Sequence, residues 1–176
     1  MEQTKPVSHF VAGLIIAAIL IVYSLILNFT GQGQNQSLGW VAYLLFIGAL
    51  IYFITQYGKS VNYSASFGKL FGYGFKITAI VTLIILLFTM IFFSVFPEYK
   101  EQIMEAMRTE MDKQVDSGKI QESQADTFID TYESRFLLLT GAGIIFGYLV
   151  IGAIGSLIGA AVTKKNPQSP FDQQVA

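Results

Sequence analysis

Hydrophobic and polar positions do not alternate evenly along this chain. They separate into four long apolar runs and the short or charged stretches between them. The runs cover about residues 7–29, 38–57, 70–96 and 136–162, the third being most apolar from Ile77 onward. A helix needs roughly 20 apolar residues to cross about 30 Å of hydrocarbon, and each run reaches that length. Unpaired backbone groups in lipid each cost several kcal/mol, so a run that spans must be helical. The first run is longer than the apolar part of a cleaved leader, and "NFTGQGQNQS" offers no small-residue cleavage site, so it is expected to stay as a span.

The fold class expected is all-α: an integral membrane four-helix bundle, with an extramembrane helical hairpin between the third and fourth spans. The whole of 1–176 reads as a single membrane domain.

The insert at 97–135 keeps a regular pattern of its own. Ile103, Met104, Met107, Met111 and Val115 recur at helical spacing, and Ala125, Phe128, Ile129, Tyr132 and Phe136 form a second, narrower stripe. Gly118 in "DSGK" suits a helix end, and "SQAD" (Ser123 to Asp126) resembles a capping box with Asp in place of Glu. Pro97 suits a first helical turn. Two helices folded against each other are expected, extending the third and fourth spans away from the bilayer. Their polar faces are rich in carboxylates. The plain reading of that face is solvation, and the sharper one, cation or partner docking, lacks an EF-hand-like loop.

Composition strengthens the membrane reading. Hydrophobic residues make up 53% of the 176 and charged ones 13%, where a soluble domain carries roughly 25% charged. No cysteine and one histidine leave little for a thiolate or imidazole metal site, and a net charge of −1 argues against nucleic acid as a partner. No metalloprotease, P-loop or dinucleotide motif occurs, so no catalytic, cofactor-binding or metal-binding residue is assigned and no cofactor is expected.

Orientation follows from basic residues near span ends. Lys5, Lys59, Lys69, Lys164 and Lys165 flank one edge, whereas "TGQGQNQS" between the first two spans has none. Both termini are therefore expected in the cytoplasm, with the insert outside. Trp40 and Tyr43 would mark the outer interface; Tyr57, Tyr63 and Tyr73 would mark the inner one.

The fourth run, "GAGIIFGYLVIGAIGSLIGAAVTKK", holds six glycines. In lipid, helices associate through close approach of small residues rather than through greater greasiness. Gly143, Gly147, Gly155 and Gly159 form one row, Gly152, Ser156 and Ala160 a neighbouring one, and Gly68 and Gly72 open the third span in a shorter copy with Gly74 beside them. These are candidates for helix packing, within the chain by preference, or against a second copy or another membrane protein.

Lys69, Tyr73 and Lys76 share one helical face. A lysine at the membrane edge can simply extend its ammonium into the headgroups. The functional alternative is recognition of an anionic lipid, with Lys59 assisting. His9 reads as an interfacial anchor. Ser24, Ser94 and Ser156 are expected to bond back to their own helices. No Asp, Glu, Arg or His lies deep in a span, which counts against an ion-coupled transporter.

Three features together resemble a family of bacterial multi-pass membrane proteins known as domain of unknown function 4199. They are "SFGKLFGYGFKI" opening the third span, the acidic helical insert, and "SLIGAAVTKKNP" (Ser156 to Pro167). The resemblance implies four spans in a bacterial cytoplasmic membrane and brings no activity or functional residues. Three functions remain in view. The first is a non-enzymatic accessory, scaffold or envelope-sensing component. The second is a small oligomeric transporter or channel, and the third a lipid-modifying enzyme lacking any visible polar cluster.

Overall fold

The computed structural model describes residues 6–164. Six helices follow in order: α1 (His9–Phe29), α2 (Gln36–Ser60), α3 (Phe67–Val95), α4 (Pro97–Asp116), α5 (Glu122–Ser134) and α6 (Phe136–Val162). The expectations at Lys5 and Lys165 lie outside the described residues. Four of the helices, α1, α2, α3 and α6, are long and apolar enough to cross a membrane.

Local chemistry sets where the spans begin. The Oγ of Ser8 accepts from the amide of Val11 at 3.2 Å, Asn35 Oδ1 from Ser37 at 3.1 Å, and Ser66 Oγ from Lys69 at 3.4 Å. Each thereby satisfies an amide that a helix start leaves open. The cap at Ser66 starts α3 three residues before the apolar run expected at Leu70, and gives it 29 residues. At 1.5 Å per residue that is roughly 43 Å, well beyond the hydrocarbon thickness. The polar opening turns of α3 therefore reach the headgroup level.

The bundle is organised around α3, which packs against α1, α2 and α6. Ile16, Leu50, Ile54, Ile77 and Val81 are fully buried at its centre, and Phe46 closes it above. The closest helix approaches are made by glycines. A Cβ on Gly152 would overlap the side chain of Thr78, and one on Gly159 would sit 2.6 Å from Ile54 Cδ1. From the other side, a Cβ on Gly74 would meet Ile54 Cδ1 at 2.5 Å and Ser156 Oγ at 2.7 Å. Gly155 lies against Leu50, where a Cβ would find Cδ1 at 3.2 Å.

Part of the glycine expectation needs correction. A Cβ on Gly68, Gly72 or Gly143 would meet nothing within 4 Å, and one on Gly147 only the Tyr43 hydroxyl at 3.8 Å. Within one chain Gly68, Gly72 and Gly143 pack no helix, and Gly147 meets α2 only at that hydroxyl. The row of Gly152, Gly155, Ser156 and Gly159 does pack, joined by Gly13 against Ile80 and Gly58 against Thr163. The physical reason is rotation: only one face of α6 turns toward α2 and α3. Just 11% of its most apolar window is buried, against 33% for α3, and Leu138, Phe146 and Val162 point outward.

The insert forms the expected helical hairpin. Phe96 (φ −125°, ψ 71°) breaks the helical path once, and Pro97 restarts it as α4. The turn uses Gly118 at φ +69°, a conformation that costs glycine little. The cap of α5 lies two residues earlier than "SQAD" suggests: the amide of Gln121 donates to Gln124 Oε1 at 3.0 Å. Met104, Ile129 and Phe136 form a small buried cluster, with Phe93 of α3 packed edge-on to Phe136 at 5.1 Å. Phe128, included in the expected stripe, is 45% exposed.

Candidate functional site

Antiparallel passage of four spans puts both described chain ends at one edge of the bundle, here the terminal edge, and the hairpin at the other. Charge separates with them. All ten carboxylates among the described residues lie on the hairpin, from Glu98 to Glu133. The terminal edge carries Lys59, Lys69, Lys76 and Lys164, and no acidic side chain among those residues.

An open cleft of about 630 Å³ lies at that edge, between the segment leading into α1 and the first turns of α3. Its construction begins with Tyr73. The ring stacks on Tyr57 of α2 with centroids 4.3 Å apart and planes at 8°. The hydroxyl donates to the carbonyl of Val7 at 2.8 Å. Tyr73 thus ties the entry of α1 to α2 and α3 and forms a wall, and its hydroxyl is already committed to that tie. Gly68 and Gly72, which pack no helix, line the cleft instead, and the missing side chains keep it open.

Lys69, Lys76 and His9 complete the lining. All three are exposed, and none has an ion-pair partner among the described residues. The amino ends of α1 and α3 reach the same edge, each with partial positive charge from unpaired amides. A concave surface bearing two ammonium groups, an imidazole and two helix amino ends can hold an anion with several acceptor oxygens.

Lys59 departs from the expected grouping. It lines a separate groove of about 360 Å³ with Tyr52, Gln56 and Ser60, and Pro6 and Val7 stand between the two. His9, expected only to anchor, lines the cleft with Lys69 and Lys76 in its place. The local pattern of α3 reveals Lys69, Tyr73 and Lys76 because they share a helix. Nothing local links His9 to them, since the contact runs across 60 or more residues of chain.

Of Ser24, Ser94 and Ser156, expected to bond back to their own helices, only Ser94 does, though several threonines do the same. Thr78, Thr82, Ser94 and Thr163 donate to carbonyls four residues back in their own helices, at 2.7–3.2 Å. Ser24 accepts from Asn28 Nδ2 at 3.3 Å. Ser156 differs: its Oγ is fully buried and has no hydrogen-bond partner. Among the described residues no three His, Cys, Asp or Glu side chains gather as metal ligands.

Four apolar spanning helices, a helical hairpin on one edge and cations on the other define a multi-pass helical membrane protein. A family model described as a protein of unknown function, DUF4199, matches residues 12–165, and the chain belongs to that family. No curated protein and no solved structure matches it.

Proposed function

We propose that this protein is a non-enzymatic accessory, scaffold or envelope-sensing component of a bacterial cytoplasmic membrane, and that its terminal-edge cleft engages anionic lipid headgroups. Both termini then face the cytoplasm and the acidic hairpin faces outward, available to a partner. The observation that carries the reading is the meeting of His9, Lys69 and Lys76, without ion-pair partners among the described residues, over a glycine floor. The negative surface potential of an anionic leaflet attracts each basic residue near it by about 1 kcal/mol. The orientation agrees with Lys59, Lys69, Lys76 and Lys164 standing close to span ends at this edge, where of the five basic residues on the hairpin only Lys100 and Arg135 do and the α1–α2 connection has none. An oligomeric transporter is the alternative. The fully buried seam of Ile16, Leu50, Ile77 and Val81 favours the first reading, because a conducting path through one chain needs a polar lining.

The test is native mass spectrometry of the chain in nanodiscs of mixed anionic and zwitterionic lipid. The expected result is retained anionic lipid, weakened about fivefold for each lysine replaced in Lys69→Gln and Lys76→Gln, from the ~1 kcal/mol above. Gly72→Leu puts a side chain into the cleft from a position where a Cβ meets nothing within 4 Å, so it should abolish retention without lowering thermal stability. Equal retention by wild type and all three variants contradicts the reading. A symmetric homo-oligomer with a continuous wet path in the same spectra and maps would favour the transporter.

A further inference from the structure

A second cavity, of about 250 Å³, lies in the half of the bundle nearest the hairpin, where α1, α2, α3 and α6 converge. Its floor is apolar: Leu20 is 3% exposed and Ile85 8%, and beneath them the bundle is sealed. Its walls are polar but uncharged. Tyr23, Ser24 and Asn28 come from α1, Tyr43 from α2, Thr89 from α3 and Tyr148 from α6.

Hydrogen bonding divides these groups. Tyr23 donates to the Leu38 carbonyl at 2.9 Å, and the Asn28 amide nitrogen to Ser24 at 2.8 Å. The hydroxyls of Tyr43, Thr89 and Tyr148 have no partner among the described residues, yet none is sealed from the cavity as Ser156 Oγ is sealed in the core. Three unanswered hydroxyls lining one partly enclosed cavity leave hydrogen-bonding capacity for an occupant that both accepts and donates. A charged guest would be desolvated without a counter-ion, because no lining residue is ionised at neutral pH. The aromatic faces add a flat apolar surface: Tyr43 and Tyr148 lie 6.0 Å apart between centroids, with Phe46 5.3 Å beyond Tyr148. Hydroxyls and an amide for the edges, with aromatic rings for the faces, suit a neutral polyhydroxyl ring. At this volume the guest has about the size of one monosaccharide.

We propose that this cavity is a binding site for a neutral sugar-like polyol, either free or as the headgroup of a glycolipid. The site is separated from the terminal-edge cleft by the sealed core, so it stands or falls independently of anionic lipid binding.

The chain has no cysteine, so a single Ala42→Cys, at a lining position that offers no polar group, reports on the cavity alone. The purified full-length protein in a zwitterionic detergent is labelled with a charged methanethiosulfonate reagent, which makes the result independent of orientation. Labelling is expected, and octyl glucoside should slow it at least fivefold while an octyl trimethylammonium salt does not. Protection by methyl glucoside as well assigns a free sugar; protection by octyl glucoside alone assigns a glycolipid headgroup. Tyr148→Phe in the same background removes one hydrogen bond and should weaken protection about three- to tenfold. Thr89→Cys, on the α3 side of the cavity, gives the same readout if Ala42→Cys does not fold, with protection weakened by the hydroxyl it removes. Labelling that neither glucoside slows means the cavity holds only water and overturns the proposal. So does failure of both cysteines to react while an exposed Thr30→Cys control does.

Discussion

At Ser156 the bundle encloses a hydroxyl that bonds to nothing, pressed between Gly74 and the residues around Ile54. Small size, not polarity, is what that position uses. Leaving a buried hydroxyl unmade costs roughly 1–3 kcal/mol, so Ser156→Ala should be neutral or raise stability by up to about 1 kcal/mol. Thermal unfolding in detergent measures this, and a clear loss would mean the hydroxyl has a partner after all. The sequence discloses Ser156 as a member of a small row but not that its expected back-bond is missing. That depends on how closely Gly74 of α3 approaches it across the fold. Lys69 and Lys76 were legible because they share a helix and carry charge in an apolar setting. His9, Tyr43 and Tyr148 were not legible as site residues, because each is paired with distant parts of the chain by the fold alone.

The element that most depends on small residues is α6. Gly152 has no room for a methyl group beside Thr78, and overpacking of this kind costs typically 1–3 kcal/mol. Gly152→Ala should destabilise by that amount, and Thr78→Ala in the same chain should recover part of the loss, since it removes the two nearest atoms but keeps the Thr78 Cβ position 2.8 Å away. Additive losses in the double variant would mean the two positions do not meet. Gly143→Ala, facing open space, should be neutral or slightly stabilising, since alanine is the better helix former by about 1 kcal/mol. The glycine rhythm announced close packing, but helical periodicity alone does not say which row faces the bundle. The hairpin rests on a smaller contact. Ile129→Asp buries a carboxylate in the cluster of Met104 and Phe136, so α4 and α5 should separate and become readily cut by protease. The four spans should resist cleavage as before. Loss of the whole fold would show that the hairpin is part of the bundle core. The bridge from Arg108 to Glu133, 2.6 Å long with both side chains about half exposed, contributes at most about 1 kcal/mol to holding it.

Across the whole molecule, the two edges differ in charge, not in greasiness. Among the described residues carboxylates gather on the hairpin and lysines without acidic partners at the terminal edge, and a sealed apolar seam lies between. Four spans and an intervening hairpin were legible because bilayer thickness and helical rise set run lengths that few other structures require. The cavities were not, since each is walled by three or four elements whose rotations no single run encodes. The most direct measurement is the side of the membrane on which each edge lies, made in intact cells with the cysteine-free chain as background. Ser64→Cys, in the α2–α3 turn, and Ser117→Cys, at the hairpin tip, are each exposed to an impermeant thiol reagent. The account predicts that Ser117→Cys reacts at once and Ser64→Cys only after the membrane is permeabilised. Immediate reaction at Ser64→Cys, or a Ser117→Cys that stays protected until lysis, would contradict it.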